Sequence, residues 1–182
     1  DLRPLSTVCR YFWRDGTRFD APAGAEAFTR AAVDTFGEPE EHLTRFFDRA
    51  RRIYEITGHL FLEKSLHEWS TLRSEGFVRS LLQVGRIDSM RTLHEANAAT
   101  FDDLRLVQLF DRYATYNGSS PFLTPGTMAI IPDVEYRGGA YALGGGIYSL
   151  PTALERLARE LGVQIHYETP VARILSDDGS RR

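Results

Sequence analysis

The stretch Gly138–Ile174 reads GGAYALGGGIYSLPTALERLARELGVQIHYETPVARI, and the rest of the chain is organised around it. A glycine-rich turn feeds an amphipathic helix. Ile147, Leu150, Leu154, Leu157, Ala158 and Leu161 share one face at helical spacing. Gly162 stands where a C′ glycine ends a helix. Val163, Ile165 and Tyr167 then alternate with polar residues, as in a half-buried strand. Glycines ahead of a helix also invite a nucleotide reading. Gly144-Gly145-Gly146-Ile147-Tyr148-Ser149 is a near miss to the dinucleotide fingerprint, with Ser149 in place of the third Gly or Ala. Glu168 lies at about the spacing of a ribose-binding acid. The fingerprint requires a firm apolar strand before its first glycine, and Arg137-Gly138-Gly139-Ala140 occupies that place. Close approach of the backbone to a neighbouring element or a large ligand is therefore the favoured reading of these glycines.

Composition narrows the class. The chain has 182 residues, 42% hydrophobic and 26% charged, as in ordinary globular domains. Its net charge of −3 supplies no global basic field for nucleic acid. The single cysteine, Cys9, excludes an internal disulfide framework and fits a reducing compartment. No apolar run approaches the roughly 20 residues of a membrane-spanning helix. A start at Asp1 and a turn signal at Ser176–Ser180 lead to the expectation of a segment cut from a longer protein.

Along the chain, Val8–Trp13 reads as a strand, Asp15-Gly16 as a hairpin turn, and Arg18-Phe19 as the return strand. Tyr11 and Trp13 are expected to pack a sheet face. Helical spacing runs from Ala21 to Phe36, and Gly37 ends it. Glu38-Pro39-Glu40-Glu41 opens a second helix with the stripe Leu43, Phe46, Phe47, Ala50, Ile53, Tyr54, Thr57 and Phe61. Arg45, Arg49, Arg51 and Arg52 read as its solvated basic face, interleaved with acids. A surface resting on anionic lipid is the alternative there. Leu66–Val84 is a third helical stretch and Met90–Ala99 a short one. Phe101-Asp102-Asp103 opens a strong helix lined by Leu106, Val107, Phe110, Tyr113 and Ala114. Met128–Ile131 is read as an apolar run that Pro132 limits to an edge or a strand end.

The pattern of hairpin, helices, then strand, helix and strand is α+β: an antiparallel sheet with a helical layer. Of the five histidines, none has metal-ligand spacing to Cys, Asp or Glu. No nucleophile elbow and no Walker A sequence occur. Tyr113–Pro121 is a polar, aromatic run after a helix, open to a pocket or a capping role.

Arg112-Tyr113-Ala114-Thr115-Tyr116-Asn117-Gly118-Ser119-Ser120-Pro121 resembles a signature segment of the bacterial phytoene desaturases, carotenoid desaturases of the flavin amine-oxidase-like superfamily. Gly138-Gly139 through Gly145-Gly146-Ile147-Tyr148-Ser149-Leu150-Pro151, with the helix to Gly162, resembles the next. Val163–Val171 is similar to the strand pair that follows, and Tyr11–Thr17 to an early substrate-domain hairpin. The resemblance implies an FAD-dependent oxidoreductase that dehydrogenates a long apolar polyene. It implies a substrate-binding portion over residues 1–143. Residues 144–182 would then be a crossover helix and strands of an incomplete FAD-binding domain. The family's own dinucleotide fingerprint and its C-terminal flavin segment have no counterpart here.

By resemblance, Val171 would touch the FAD adenine through its backbone. Arg112, Tyr113, Thr115, Tyr116, Gly138, Gly139, Gly145 and Gly146 are the candidates for the substrate region. The isolated segment is expected to hold no FAD and to be inactive. Expected partners are an apolar polyene or lipid and a peripheral contact with the inner, cytoplasmic face of a membrane. No nucleic acid and no metal are expected. A self-contained lipid-binding or protein-interaction module without redox activity is the alternative.

Overall fold

The structure is a computed structural model and describes residues 1–61 and 87–174. The expected helix over Leu66–Val84 lies outside the described residues. The chain forms two compact units. Pro4–Tyr141 make one, and Asp1–Arg3 with the residues from Ala142 onward make the other. The class is mixed helix and small antiparallel sheets, that is, α+β.

Strand β1, Leu2–Pro4, pairs with β4, Tyr141–Leu143. Strand β2, Thr7–Phe12, pairs antiparallel with β3, Arg18–Pro22. In that hairpin Tyr11 faces Phe19 and Cys9 faces Ala21 on the inner side. Arg10 faces Asp20 and Phe12 faces Arg18 on the outer side. Apart from the exposed Phe12, the period of two thus sorts apolar residues inward and charge outward. The loop is wider than a two-residue turn. Gly16 N–H donates to Trp13 O at 3.1 Å and Trp13 N–H to Thr17 O at 2.9 Å. Gly16 has φ 86°, the left-handed conformation that closes a bulged turn.

Helix α1, Ala25–Phe36, begins only after β3, because Ala21 and Pro22 complete the hairpin rather than the helix. Gly37 ends α1 in the left-handed region, donating to Val33 O. Helix α2, Glu40–Phe61, buries Leu43, Phe46, Ala50, Ile53 and Thr57, the stripe that helical spacing predicts. Helix α3, Leu93–Ala98, starts with a capping box. Thr92 Oγ1 accepts from Glu95 N–H, and Glu95 accepts from Thr92 N–H. Helix α4, Leu104–Asp111, runs into a 3₁₀ segment, Arg112–Asn117, which Gly118 closes at φ 67°.

Helix α5, Ile130–Gly138, follows a second 3₁₀ turn, Gly126–Ala129, and overturns the strand reading of Met128–Ile131. Pro132 sits in its first turn, where a missing N–H costs little. The apolar run is too short to reveal its period. The helix places Ala129 and Tyr136 in the core and leaves Val134 46% exposed.

The core of the Pro4–Tyr141 unit is aromatic. Phe110 lies 4.0 Å from Phe46, 5.1 Å from Phe101 and 5.6 Å from Phe28, measured between ring centroids. Phe28 lies 4.6 Å from Tyr136 and 5.4 Å from Phe19. Such offset and tilted pairs add to the burial of their large apolar area. The rings tie β3, α1, α2, α4 and α5 into one cluster.

Arg49 departs from the sequence reading. It was expected on the solvated basic face, yet its side chain is only 15% exposed. It donates to Ala96 O at 3.2 Å and lies 3.4 Å from Asp88. Its guanidinium sits over the Phe46 ring. Arg51 keeps the expected exposed pairing, with Glu55 at 3.0 Å.

In the second unit, helix α6, Ser149–Glu160, ends as the glycine predicts. Gly162 N–H donates to Arg159 O and Val163 N–H to Ala158 O, the paired bonds of a Schellman motif. Residues 163–174 carry no strand, which corrects the expected strand–helix–strand return. A strand exists through its ladder, and this stretch has no partner strand among the described residues. No residue of α6 is buried, so its apolar stripe faces outward.

Candidate functional site

Three elements converge on one polar cluster inside the Pro4–Tyr141 unit. The alternation of β2 turns Tyr11 inward. The 3₁₀ segment after α4 tightens the helix, carrying Arg112, Tyr113 and Tyr116. Helix α5 brings Glu135 and Tyr136 as neighbours on successive positions. Glu135 organises the cluster. Tyr113 Oη donates to its Oε1 at 2.6 Å and Tyr116 Oη to its Oε2 at 3.1 Å. Arg112 Nη2 stands 3.8 Å from Oε1. The Arg112 guanidinium also lies 4.5 Å from the Tyr113 ring centre and 5.6 Å from that of Tyr11.

The electrostatics follow from burial. Burial raises the Tyr113 hydroxyl far above its ordinary range, and Tyr136 and the Glu135 carboxylate beside it add to the rise. Tyr136 and Tyr11 are raised as well, chiefly by burial, with Arg112 opposing. All three phenols are thus held neutral. Burial works against the charge of Arg112, but Tyr11, Tyr113 and Glu135 around it leave the guanidinium more firmly protonated than usual. Three atoms of this cluster are buried without a hydrogen-bond partner: Tyr11 Oη, Arg112 Nε and Tyr136 Oη. Their nearest polar neighbours are one another and the rest of the cluster, with Tyr11 interacting with Arg112 and Tyr136 with Tyr113.

Arg112, Tyr113 and Tyr116 are therefore brought together as sequence candidates. Thr115 is not part of the group, since it is exposed and its hydroxyl donates to Arg112 O. Gly138 ends α5, and Gly139, at φ 79°, leads into β4. Gly145 and Gly146, at φ 87° and 83°, form the turn before α6 in the other unit. In that turn Gly146 O accepts from Ser149 N–H at 3.1 Å and from Ser149 Oγ at 2.7 Å. Leu150 and Thr152 N–H groups donate to Ile147 and Tyr148 carbonyls. These helix-entry amides are spoken for, unlike those of a phosphate cradle. The close approach occurs at Gly144. A Cβ there would meet Asp1 at 3.2 Å, and its N–H donates to Asp1 O. Val171 is 79% exposed in non-repetitive backbone.

Tyr11, Glu135 and Tyr136 belong to the cluster and were not among the sequence candidates. Glu135 and Tyr136 follow an apolar run whose helical period is invisible at that length. A helix signal over 130–138 would have placed Tyr136 on the core face.

Two further clusters have structural explanations. Glu38, 2% exposed, accepts from the N–H groups of Asp102 and Asp103 at 3.0 Å each, and pairs with His42 Nδ1 at 2.7 Å. With Asp102 this group has a donor set suited to a metal. Both Glu38 oxygens are nonetheless engaged in capping the entrance of α4. Asp111 pairs with His94 Nδ1 at 2.7 Å and accepts from Asn97 Nδ2 at 2.9 Å, joining α3 to α4. Among the described residues no helix is long and apolar enough to cross a membrane.

Known proteins carry the same arrangement of sequence. The flavin containing amine oxidoreductase family matches residues 1–182. A 1-hydroxycarotenoid 3,4-desaturase of Flavobacterium sp. (strain P99-3) is 41% identical over 168 residues, 92% of this chain and 34% of the relative. A hydroxyneurosporene desaturase of Cereibacter sphaeroides is 34% identical over 179 residues, 98% of this chain and 36% of the relative. A zeta-carotene-forming phytoene desaturase of Myxococcus xanthus is 38% identical over 104 residues, 57% of this chain and 20% of the relative. The chain thus spans about a third of the length of the first two. Matched from its first residue to its last, this chain belongs to the flavin containing amine oxidoreductase family.

Proposed function

We propose that the protein containing this chain is an FAD-dependent oxidoreductase that dehydrogenates a long apolar polyene of the carotenoid type. The observation that carries the proposal is the match to carotenoid desaturases over 92% and 98% of the chain. FAD, when bound, takes up the hydrogen removed from the polyene. The chain itself supplies orientation and an apolar surround. In this reading residues 1–143 are the substrate-binding portion and 144–182 the crossover toward the FAD-binding part. Arg112, Tyr113 and Tyr116 line the substrate region, with Thr115, Gly138, Gly139, Gly145 and Gly146 near it. Val171 offers its exposed backbone to the adenine. One such contact makes no cradle, so residues 1–182 alone hold no FAD and do not turn over. A polyene partitions into bilayers, and a peripheral contact with the inner membrane face is part of the proposal.

The test uses the full-length protein and the 182-residue segment side by side. The full-length protein should purify yellow, and its flavin absorbance should bleach anaerobically with an acyclic C40 polyene. The segment should purify colourless. A colourless full-length protein that binds the polyene without oxidising it would favour a lipid-binding module instead.

A further inference from the structure

We propose that the exposed face of α2 is a contact between two copies of the protein, laid antiparallel and held in register by paired charges. The contact is independent of the oxidoreductase activity proposed above. Glu41, Arg45, Asp48 and Arg52 are all exposed. At about 100° per residue they fall within an arc of about 60°, opposite the buried stripe of Leu43, Phe46, Ala50 and Ile53. That stripe anchors the helix, so the four charges stand on a fixed platform. With Glu40 and Thr44 they line an open groove. An acid four residues ahead of a base is the favourable order for pairing within one helix. Among the described residues, nonetheless, none of the four has an ion-pair partner, while Arg51 beside them pairs with Glu55 at 3.0 Å.

The signs run minus, plus, minus, plus, and that order is self-complementary. A two-fold axis between Phe46 and Phe47 sets Glu41 opposite Arg52 of the second copy, and Arg45 opposite its Asp48. Each pairing occurs twice, over about 16 Å of helix. A parallel arrangement sets Glu41 against Glu41 and Arg45 against Arg45, and is repelled. The charges thus select both orientation and register, as a symmetric contact requires. Anionic lipid is a poorer occupant, because the two acids in the same arc cancel the two arginines. Exposed ion pairs contribute little each, and three turns of helix bury less than the about 800 Å² per partner of a standard interface. The association is therefore weak, on the order of 10–100 µM, and salt-sensitive.

The full-length protein is measured by sedimentation equilibrium at about 100 µM, in about 20 mM and about 500 mM salt. The wild type should be largely dimeric in low salt and monomeric in high salt. Glu41→Arg sets arginine against arginine across the contact, and Arg52→Glu sets acid against acid, so each variant alone should be monomeric in both. An equimolar mixture of the two variants restores the pairing and should dimerise as the wild type does. Both variants should keep the wild-type thermal midpoint in circular dichroism, since neither side chain is paired within its own copy. A wild type that stays monomeric in low salt overturns the proposal. A dimer that both variants retain also overturns it, since the contact then lies elsewhere, and so does a mixture that stays monomeric. Variants with a lowered midpoint would show the face covered by the rest of the longer protein. Monomers that co-sediment with anionic phospholipid vesicles, and lose this in Arg52→Glu, would assign the face to lipid. Either result likewise overturns the contact between copies.

Discussion

Glu38 holds the entrance of α4 from 64 residues away in sequence. Its carboxylate accepts the backbone N–H groups of Asp102 and of the N-cap Asp103, just ahead of the first turn of α4. Glu38→Ala should destabilise the Pro4–Tyr141 unit by about 2–3 kcal/mol, combining a lost cap with buried, unpaired donors. Urea denaturation of the variant checks this, and a change under about 0.5 kcal/mol would contradict the capping role. Asp20 gives a prediction with a sign. Hydrogen bonds from Arg18 and Arg10 lower its carboxyl from 3.8 to about 2. A depressed folded value means that its contribution is complete above pH about 4 and fades as pH falls toward about 2. A carboxyl-detected NMR titration should find a midpoint near 2, which Arg10→Gln moves upward. Sequence exposes residue types but not their partners at long range. Glu38 reads as an ordinary acid at a helix start, and Arg49 as one of four surface arginines. The burial of both depends on contacts with α3 and α4 that no local spacing encodes.

The elements that were legible are those with strong local chemistry. Alternation around Asp15-Gly16 yields the β2–β3 hairpin, and stripes ending at Gly37, Gly118 and Gly162 yield α1, the α4–3₁₀ pair and α6. The helix of residues 130–138 was not legible, because four apolar residues and a proline fit either period. The strand expected after Gly162 fails for another reason. Alternation marks which residues could pair, whereas pairing requires a second strand. Caps permit sharp tests. Thr92→Ala breaks the capping box of α3 and should cost about 1 kcal/mol. Gly162, at φ 82° with nothing within 4 Å of a Cβ, has room for a methyl group but not the conformation. Gly162→Ala should therefore cost about 1 kcal/mol through backbone strain, read as lost α6 helicity in circular dichroism.

At the scale of the whole molecule, the two units differ in how their apolar residues are used. The aromatic cluster around Phe110 is closed, and Phe110→Ala should cost about 3–5 kcal/mol by opening a cavity. Leu154 and Leu157 of α6 are 58% and 50% exposed. Leu157→Gln should change the stability of the chain by less than about 0.5 kcal/mol. Thermal unfolding of the two variants measures this contrast directly. The candidate site follows the same division. Arg112, Tyr113 and Tyr116 were readable as one aromatic, basic run, whereas Tyr11, Glu135 and Tyr136 join them only through packing.

The pairing of β1 with β4 brings Leu2–Pro4 beside Tyr141–Leu143 in one narrow ladder. Leu5 N–H donates to Ala140 O, and Gly144 N–H donates to Asp1 O. Pro4 and Tyr141, the two ends of the unit with the aromatic core, thus lie in paired neighbouring strands, about 5 Å apart. A segment joined in this way is a cassette. It can be excised and the gap closed with a short turn, or replaced by the matching segment of a relative, without moving either cut end. Chimaeras exchanged at residues 4 and 141 should therefore fold, which circular dichroism and a cooperative thermal transition check.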